Sequence, residues 1–195
     1  KILSPENIYL SSDSDEILNY GKKFNINLIK RPDKISGDQA TSTDVIKHFI
    51  QKIQLEDKND YTILYLQPTS PLRKSSHIKE SLSMFKDNNC DSLISVAYSK
   101  EFPNKTYIMN KNNRLEKMII SKNKSEIRQE LPDSYYPNGA IYIFNKHSFL
   151  KERSIPNNNI LPYYMDEKYS IDIDTEIDLK IAELLINNSE KWKKL

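Results

Sequence analysis

Two short segments carry residue types that suit chemistry on a charged small molecule. The first is Gln67-Pro68-Thr69-Ser70-Pro71-Leu72-Arg73, which follows an apolar run. Gln67 both donates and accepts hydrogen bonds, Thr69 and Ser70 add hydroxyls, and Arg73 offers a fork that matches a carboxylate or a phosphate. The second is Ser170-Ile171-Asp172-Ile173-Asp174-Thr175-Glu176-Ile177-Asp178, with two carboxylates two residues apart ahead of an amphipathic stretch. On extended backbone Asp172 and Asp174 project to one face. Such a pair suits Mg2+, which takes few protein oxygens and completes its shell with phosphates and water.

Plainer roles fit some of the same residues. From the residues alone, a proline-shaped connector with Ser70 opening a turn accounts for 67–73 more readily than a binding loop does. Thr175-Glu176-Ile177-Asp178 matches a capping box, with Asp174 in the favourable field of a helix N-terminus. Capping does not require Asp172, so the metal reading is retained for the pair. Asn138-Gly139 reads as a turn, and a functional alternative places Asn138 with Arg128 at a sugar site. His48, His77 and His147 are isolated and read as packed or solvated. Cys90 has no neighbour that would activate it.

The elements that must position these residues alternate between strand and helix. Strands are expected at 7–11, 26–29, 61–66, 92–98 and 140–144, the third as a central parallel strand. A helix begins near Ser12 to Glu16 and stops at Gly21. Another covers 43–53, with Val45, Ile46, Phe49, Ile50 and Ile53 on one stripe. Ile78, Leu82 and Phe85 mark a third. The last runs over 175–188, with Ile177, Ile181, Leu184 and Leu185 expected on its buried side. Residues 107–109 and 118–120 suggest a hairpin, and 155–169 an extended excursion. The pattern implies an α/β three-layer sandwich with a mostly parallel sheet, as a single domain over 1–195.

Composition narrows the function. The 29 basic and 27 acidic residues leave a net charge of +2 with no basic block, which argues against nucleic acid as a partner. No apolar run approaches a membrane span. The single cysteine rules out an intramolecular disulfide and a thiolate zinc site, and a cytoplasmic protein is expected. The three glycines, Gly21, Gly37 and Gly139, are far apart, so these residues contain neither a P-loop nor a dinucleotide fingerprint.

Taken in order, Arg31-Pro32, residues 38–42, the 67–73 segment, Arg128-Gln129-Glu130-Leu131-Pro132, Asn138-Gly139-Ala140-Ile141-Tyr142-Ile143 and Asp172-Ile173-Asp174-Thr175-Glu176-Ile177-Asp178-Leu179 resemble the acylneuraminate cytidylyltransferases. The resemblance covers nearly the whole chain. It implies a nucleotide-diphospho-sugar transferase-like fold and transfer of CMP from CTP to a nine-carbon acidic sugar, with release of pyrophosphate. On that resemblance Asp172 and Asp174 are the catalytic pair that holds Mg2+. Arg31 and Ser42 match nucleotide-binding positions, and Gln67, Arg128, Asn138 and Tyr142 match the sugar side. A homodimer is implied, with a dimerisation excursion within about 101–169.

Two departures stand out. The family's Ala-Arg-x-Gly-Ser-Lys-Gly loop has no counterpart in these residues, so the resemblance reads as an N-terminally incomplete domain, inactive by itself. The phenylalanine pair that many relatives carry is replaced by Ser154-Ile155-Pro156-Asn157. Legionaminate, pseudaminate and 3-deoxy-octulosonate therefore remain alternative sugars, and a non-catalytic binding or assembly domain remains a rival reading.

Overall fold

A computed structural model describes residues 2–37, 39–55, 59–100, 103–118 and 132–188. The described strands form three sheets: a parallel pair, a four-stranded sheet and an antiparallel hairpin. The chain makes two compact units, one of Lys1–Tyr65, Lys74–Leu93 and Tyr142–Leu161, the other of Leu66–Arg73, Ile94–Ile141 and Pro162–Leu195.

The first unit opens with β1 (Tyr9–Ser12), α1 (Asp15–Gly21) and β2 (Asn27–Lys30). β1 and β2 pair in parallel, with Ser11 opposite Ile29. The Ser14 hydroxyl caps α1 by accepting from Ile17 N at 3.3 Å. Gly21, the last residue of α1, is closely packed: a Cβ there would lie 2.5 Å from Leu10 Cδ2 and 2.9 Å from Leu28 Cδ2.

Helix α2 (Ser42–Lys52) begins at a reciprocal capping box between Thr41 and Asp44. Its stripe buries Ile46 and Ile50 against Ile63, Phe144 and Phe149, with Phe49, Tyr65 and Tyr142 packed around them. Ile63 belongs to β3 (Thr62–Tyr65), Phe144 to β7 (Tyr135–Asn145) and Phe149 to α4 (Lys146–Glu152), a helix that the periodicity did not announce. Residues 62–65 of β3 pair with 142–145 of β7 in antiparallel register, Thr62 opposite Asn145 and Tyr65 opposite Tyr142. The apolar run had suggested parallel neighbours. A strand buried on both faces reads the same whichever way its partner runs, so direction was not in the pattern. Helix α3 (Ser75–Asp87) buries Phe85, as its spacing implied.

β4 occupies Ser92–Tyr98, the span read from the sequence. The four-stranded sheet has the order β3-β7-β4-β8, where β8 is Ile160–Tyr164. Within 155–169, read from the sequence as an extended excursion, Ile160–Tyr164 forms this strand of the sheet. In the second unit Met165 N donates to Val96 O at 2.9 Å, just past the end of β8. β5 (Tyr107–Met109) pairs with β6 (Leu115–Lys117), so a hairpin forms with its second strand at 115–117, while residues 119 and 120 of the expected 118–120 lie outside the described residues. An Asn110 turn sets that register, since Asn110 Oδ1 accepts from Asn112 N and Arg114 N.

Helix α5 (Glu176–Asn187) departs most from expectation. Ala182 is its buried residue, whereas Ile177 is 68 % exposed, Leu184 59 % and Ile181 40 %. The apolar spacing describes a stripe correctly but cannot say what covers it. Among the described residues no helix is long and apolar enough to cross a membrane.

Candidate functional site

Three stretches of the second unit are joined by hydrogen bonds: 67–73, 138–141 and 170–174. The Ser70 hydroxyl donates to Asn138 O at 3.3 Å. Arg73 Nη1 donates to Gln67 O at 3.1 Å and to Ala140 O at 2.6 Å, clipping the loop to β7. Burial lowers the pKa of the Arg73 guanidinium, because desolvation disfavours its charge. On the third side Ile173 N donates to Thr69 O at 2.9 Å.

Gly139 lies at the centre of this arrangement. Its φ of +73° is a left-handed conformation inside β7, which an L side chain adopts at a cost. A Cβ on it would lie 2.7 Å from Gln67 Oε1, 2.9 Å from Asp172 Oδ2 and 3.3 Å from Ser70 Oγ. Three polar side-chain atoms thus converge over one bare α-carbon. The strand extends upstream to Tyr135, so Asn138-Gly139 is a distortion within a strand rather than a turn ahead of one.

Asp172 is half-buried, and its Oδ1 is buried without a hydrogen-bond partner among the described residues. A buried carboxylate oxygen of that kind calls for a partner, which a cation, a water molecule or a ligand donor can supply. Asp174 is exposed, and its backbone N–H donates to Asp178 Oδ2 at 3.3 Å. Asp178 and Thr175 complete the capping box read from the sequence, with Thr175 Oγ1 donating at 2.7 Å. That hydroxyl bond holds the Asp178 carboxyl below its usual range.

These residues fit Mg2+ chemically. Asp172 offers an uncommitted oxygen and Asp174 a solvated one, and Mg2+ takes one or two carboxylates plus substrate phosphates. Among the described residues no group of three or more His, Cys, Asp or Glu side chains could hold a metal, so an all-protein cage is not what this surface provides.

Gln67, Asn138 and Asp172 are therefore brought together, with Asp174 two residues along. Arg128 lies outside the described residues. Arg31, Ser42 and Tyr142 belong to the first unit. There Arg31 Nη2 pairs with Asp13 Oδ1 at 3.0 Å, and its Nε is buried without a partner among the described residues. Ser42 Oγ accepts from the Tyr65 hydroxyl at 3.3 Å, and the Tyr65 ring lies 6.0 Å from that of Tyr142.

The family described as cytidylyltransferase matches residues 2–195. The chain belongs to the cytidylyltransferase family. A curated relative, the N-acylneuraminate cytidylyltransferase of Streptococcus agalactiae serotype III (strain NEM316), is 34% identical over 174 residues, 89% of this chain and 41% of the relative. This chain thus spans about two fifths of that protein's length. The post-translational flagellin modification protein B of Campylobacter coli is 29% identical over 184 residues, 93% of this chain and 77% of that protein. The CMP:2-keto-3-deoxy-manno-octonic acid synthetase structure complexed with CTP has a similar fold, with a TM-score of 0.62 at 12% identity, covering 93% of this chain and 80% of that one. The expected nucleotidyltransferase fold is thereby shown.

Asn138 is placed differently from expectation in this cytidylyltransferase-family chain. Its side chain is 1 % exposed. Oδ1 accepts from Ser95 Oγ at 2.6 Å and Ala140 N at 3.2 Å, and Nδ2 donates to Ser170 Oγ at 2.8 Å. The amide is turned into the protein. From the sequence alone, no role is assigned to Ser95 or Ser170. The available signal was a hydroxyl in the middle of the apolar strand Leu93-Ile94-Ser95-Val96, where a buried polar group must find a partner.

Proposed function

We propose that the protein transfers CMP from CTP to a nine-carbon acidic sugar of the sialic-acid type. The observation that carries this reading is the uncommitted Asp172 carboxylate over Gly139, beside Gln67, in a chain of the cytidylyltransferase family. In the reaction the sugar's anomeric hydroxyl attacks the α-phosphate of CTP. The new O–P bond forms as the bond to pyrophosphate breaks, and the hydroxyl proton is released.

Asp172 and Asp174 hold Mg2+, which supplies neutralisation of phosphate charge when bound. Gln67 offers an amide to the sugar, and Arg128 is the cation for its carboxylate. Tyr142 lines the sugar side, while Arg31 and Ser42 serve the nucleotide. Asn138 acts on the site through the Gly139 backbone. The buried Arg31 Nε and its Asp13 partner support a nucleotide role, because a fixed guanidinium is ready for an anion or a base edge.

Exposed Ile108, Met109, Leu115 and Met118 on and beside the β5–β6 hairpin support a homodimer, since an apolar patch of that kind favours a partner surface. The use of CTP and the single cysteine support a cytoplasmic location.

Pyrophosphate release by the full-length protein is the test, with CTP and a panel of nonulosonic acids. N-acetylneuraminate is expected to give the highest kcat/KM. Legionaminate, pseudaminate and 3-deoxy-octulosonate belong in the panel because Ser154-Ile155-Pro156-Asn157 departs from the sialate pattern and the Campylobacter coli relative is named for flagellin modification. No release with any acid sugar would remove the reading.

A further inference from the structure

We infer that Ser95, Asn138 and Ser170 form a positioning clasp that fixes the Asp172 carboxylate above Gly139 and so sets its affinity for a divalent cation. This rests on the reading of Asp172 as a cation ligand. None of the three residues is a ligand of the cation or a contact of the substrate. They act through the backbone that carries Asp172 and Gly139.

The clasp is a directed chain of hydrogen bonds. Ile141 N–H donates to Ser95 Oγ at 2.7 Å, and the Ser95 hydroxyl donates to Asn138 Oδ1 at 2.6 Å. Ala140 N–H donates to the same Oδ1 at 3.2 Å, which settles the orientation of the amide: only an oxygen can accept there. The other end of the amide, Nδ2, donates to Ser170 Oγ at 2.8 Å, and that hydroxyl donates onward to Asp166 O at 2.9 Å. Ser95, Asn138 and Ser170 are 0 %, 1 % and 5 % exposed. Hydrogen bonds in such a dry setting polarise one another and resist exchange with water. One Nδ2 hydrogen is the amide's only uncommitted group among the described residues.

The geometry explains what the clasp does. Asp172 Oδ1 has no hydrogen-bond partner among the described residues, so that oxygen is not what holds the carboxylate in place. Its backbone is held on both sides instead. Two residues before it, Ser170 is tied to Asn138, and one residue after it, Ile173 N–H is tied to Thr69 O. Asn138 is in turn the neighbour of Gly139, the α-carbon that Asp172 Oδ2 overhangs. One amide thus links both sides of the gap between carboxylate and glycine. A ligand with free oxygens and a fixed main chain is already arranged for a cation, and loss of such outer supports typically weakens metal affinity or activity by roughly 10–100-fold.

The test uses full-length protein, with Mn2+ as a paramagnetic stand-in for Mg2+ and CTP present. Free Mn2+ is followed by electron paramagnetic resonance, and kcat and KM by pyrophosphate release. Ser170→Ala and Ser95→Ala break the chain at opposite ends, so one can decide the matter if the other does not fold. In either, the Mn2+ dissociation constant is expected to rise roughly tenfold and kcat to fall by a similar factor, with the sugar KM within about twofold of the parent. Asp172→Asn is measured in parallel. If Asp172→Asn weakens Mn2+ binding while both serine variants bind it like the parent, the clasp is wrong and the cation reading stands. If Asp172→Asn leaves Mn2+ binding unchanged, the cation reading fails and the inference built on it fails too.

Discussion

Asp172 overhangs Gly139 so closely that a methyl group on the glycine would lie 2.9 Å from Asp172 Oδ2. That single relationship makes an otherwise ordinary Asn-Gly pair part of the candidate site. It also makes the glycine's missing side chain as consequential as the carboxylate.

Gly139→Ala should therefore lower both stability and turnover. The left-handed φ of +73° alone costs an alanine of order 1–3 kcal/mol, and the contacts with Gln67 Oε1 and Asp172 Oδ2 add strain. Urea unfolding and steady-state kinetics should show a lower midpoint and a reduced kcat. A variant matching the parent in both would mean that the glycine's conformation is dispensable.

Replacing either carboxylate of the pair should cut turnover while leaving unfolding cooperative. For Asp172→Asn the fall should be at least as large as the roughly 10–100-fold that losing an outer-shell partner of a metal ligand costs. Asp174 is exposed, so Asp174→Asn should leave the unfolding midpoint close to the parent's. Retention of normal Mg2+-dependent activity by Asp172→Asn would refute its assignment.

Asp13 should matter for CTP rather than for stability. Its carboxylate pairs with Arg31 at 3.0 Å, and that guanidinium holds the Asp13 carboxyl below its usual value. Exposed ion pairs contribute little to folding because water and salt screen them, so Asp13→Asn should scarcely move the midpoint. The freed Arg31 should raise the KM for CTP several-fold more than that for the sugar. Equal rises in the two constants would count against a nucleotide role for Arg31.

Arg73→Met keeps the apolar stem and removes the donor to Gln67 O and Ala140 O. Hydrogen bonds from charged groups contribute about 1.5–3 kcal/mol, so a loss of about 2 kcal/mol in unfolding free energy is expected. A change below about 0.5 kcal/mol, the range of ordinary surface substitutions, would show that the clip is not structural.

Acid should weaken the two capping boxes together. Thr175 holds the Asp178 carboxyl below its usual 3.8, and Thr41 does the same for Asp44. Between the depressed values and 3.8 the unfolded chain binds more protons than the folded one, so stability rises with pH across that window. The contribution is complete above the unfolded value and is lost as pH falls through the folded ones. Thermal midpoints measured from about pH 5 down to about pH 2 should drop less steeply in Thr175→Ala than in the parent.

The sequence by itself determined what depends on neighbours a few residues apart. β4 at Ser92–Tyr98, the stripe of Ile46 and Ile50, and the Thr175–Asp178 box were all legible, because periodicity and capping act within a turn or two of chain. The Gln67–Arg73 loop and Asp172 stood out as candidates through residue type and order. Only the tertiary structure decided the rest. The direction of β3 against β7, the place of β8 in the sheet and the exposure of Ile177 and Leu184 on α5 depend on partners distant in sequence. Asn138 read as an open contact because its partners, Ser95 and Ser170, lie 43 and 32 residues away. A buried amide must satisfy its hydrogen bonds wherever the fold supplies them, and no local pattern records which distant hydroxyl that will be.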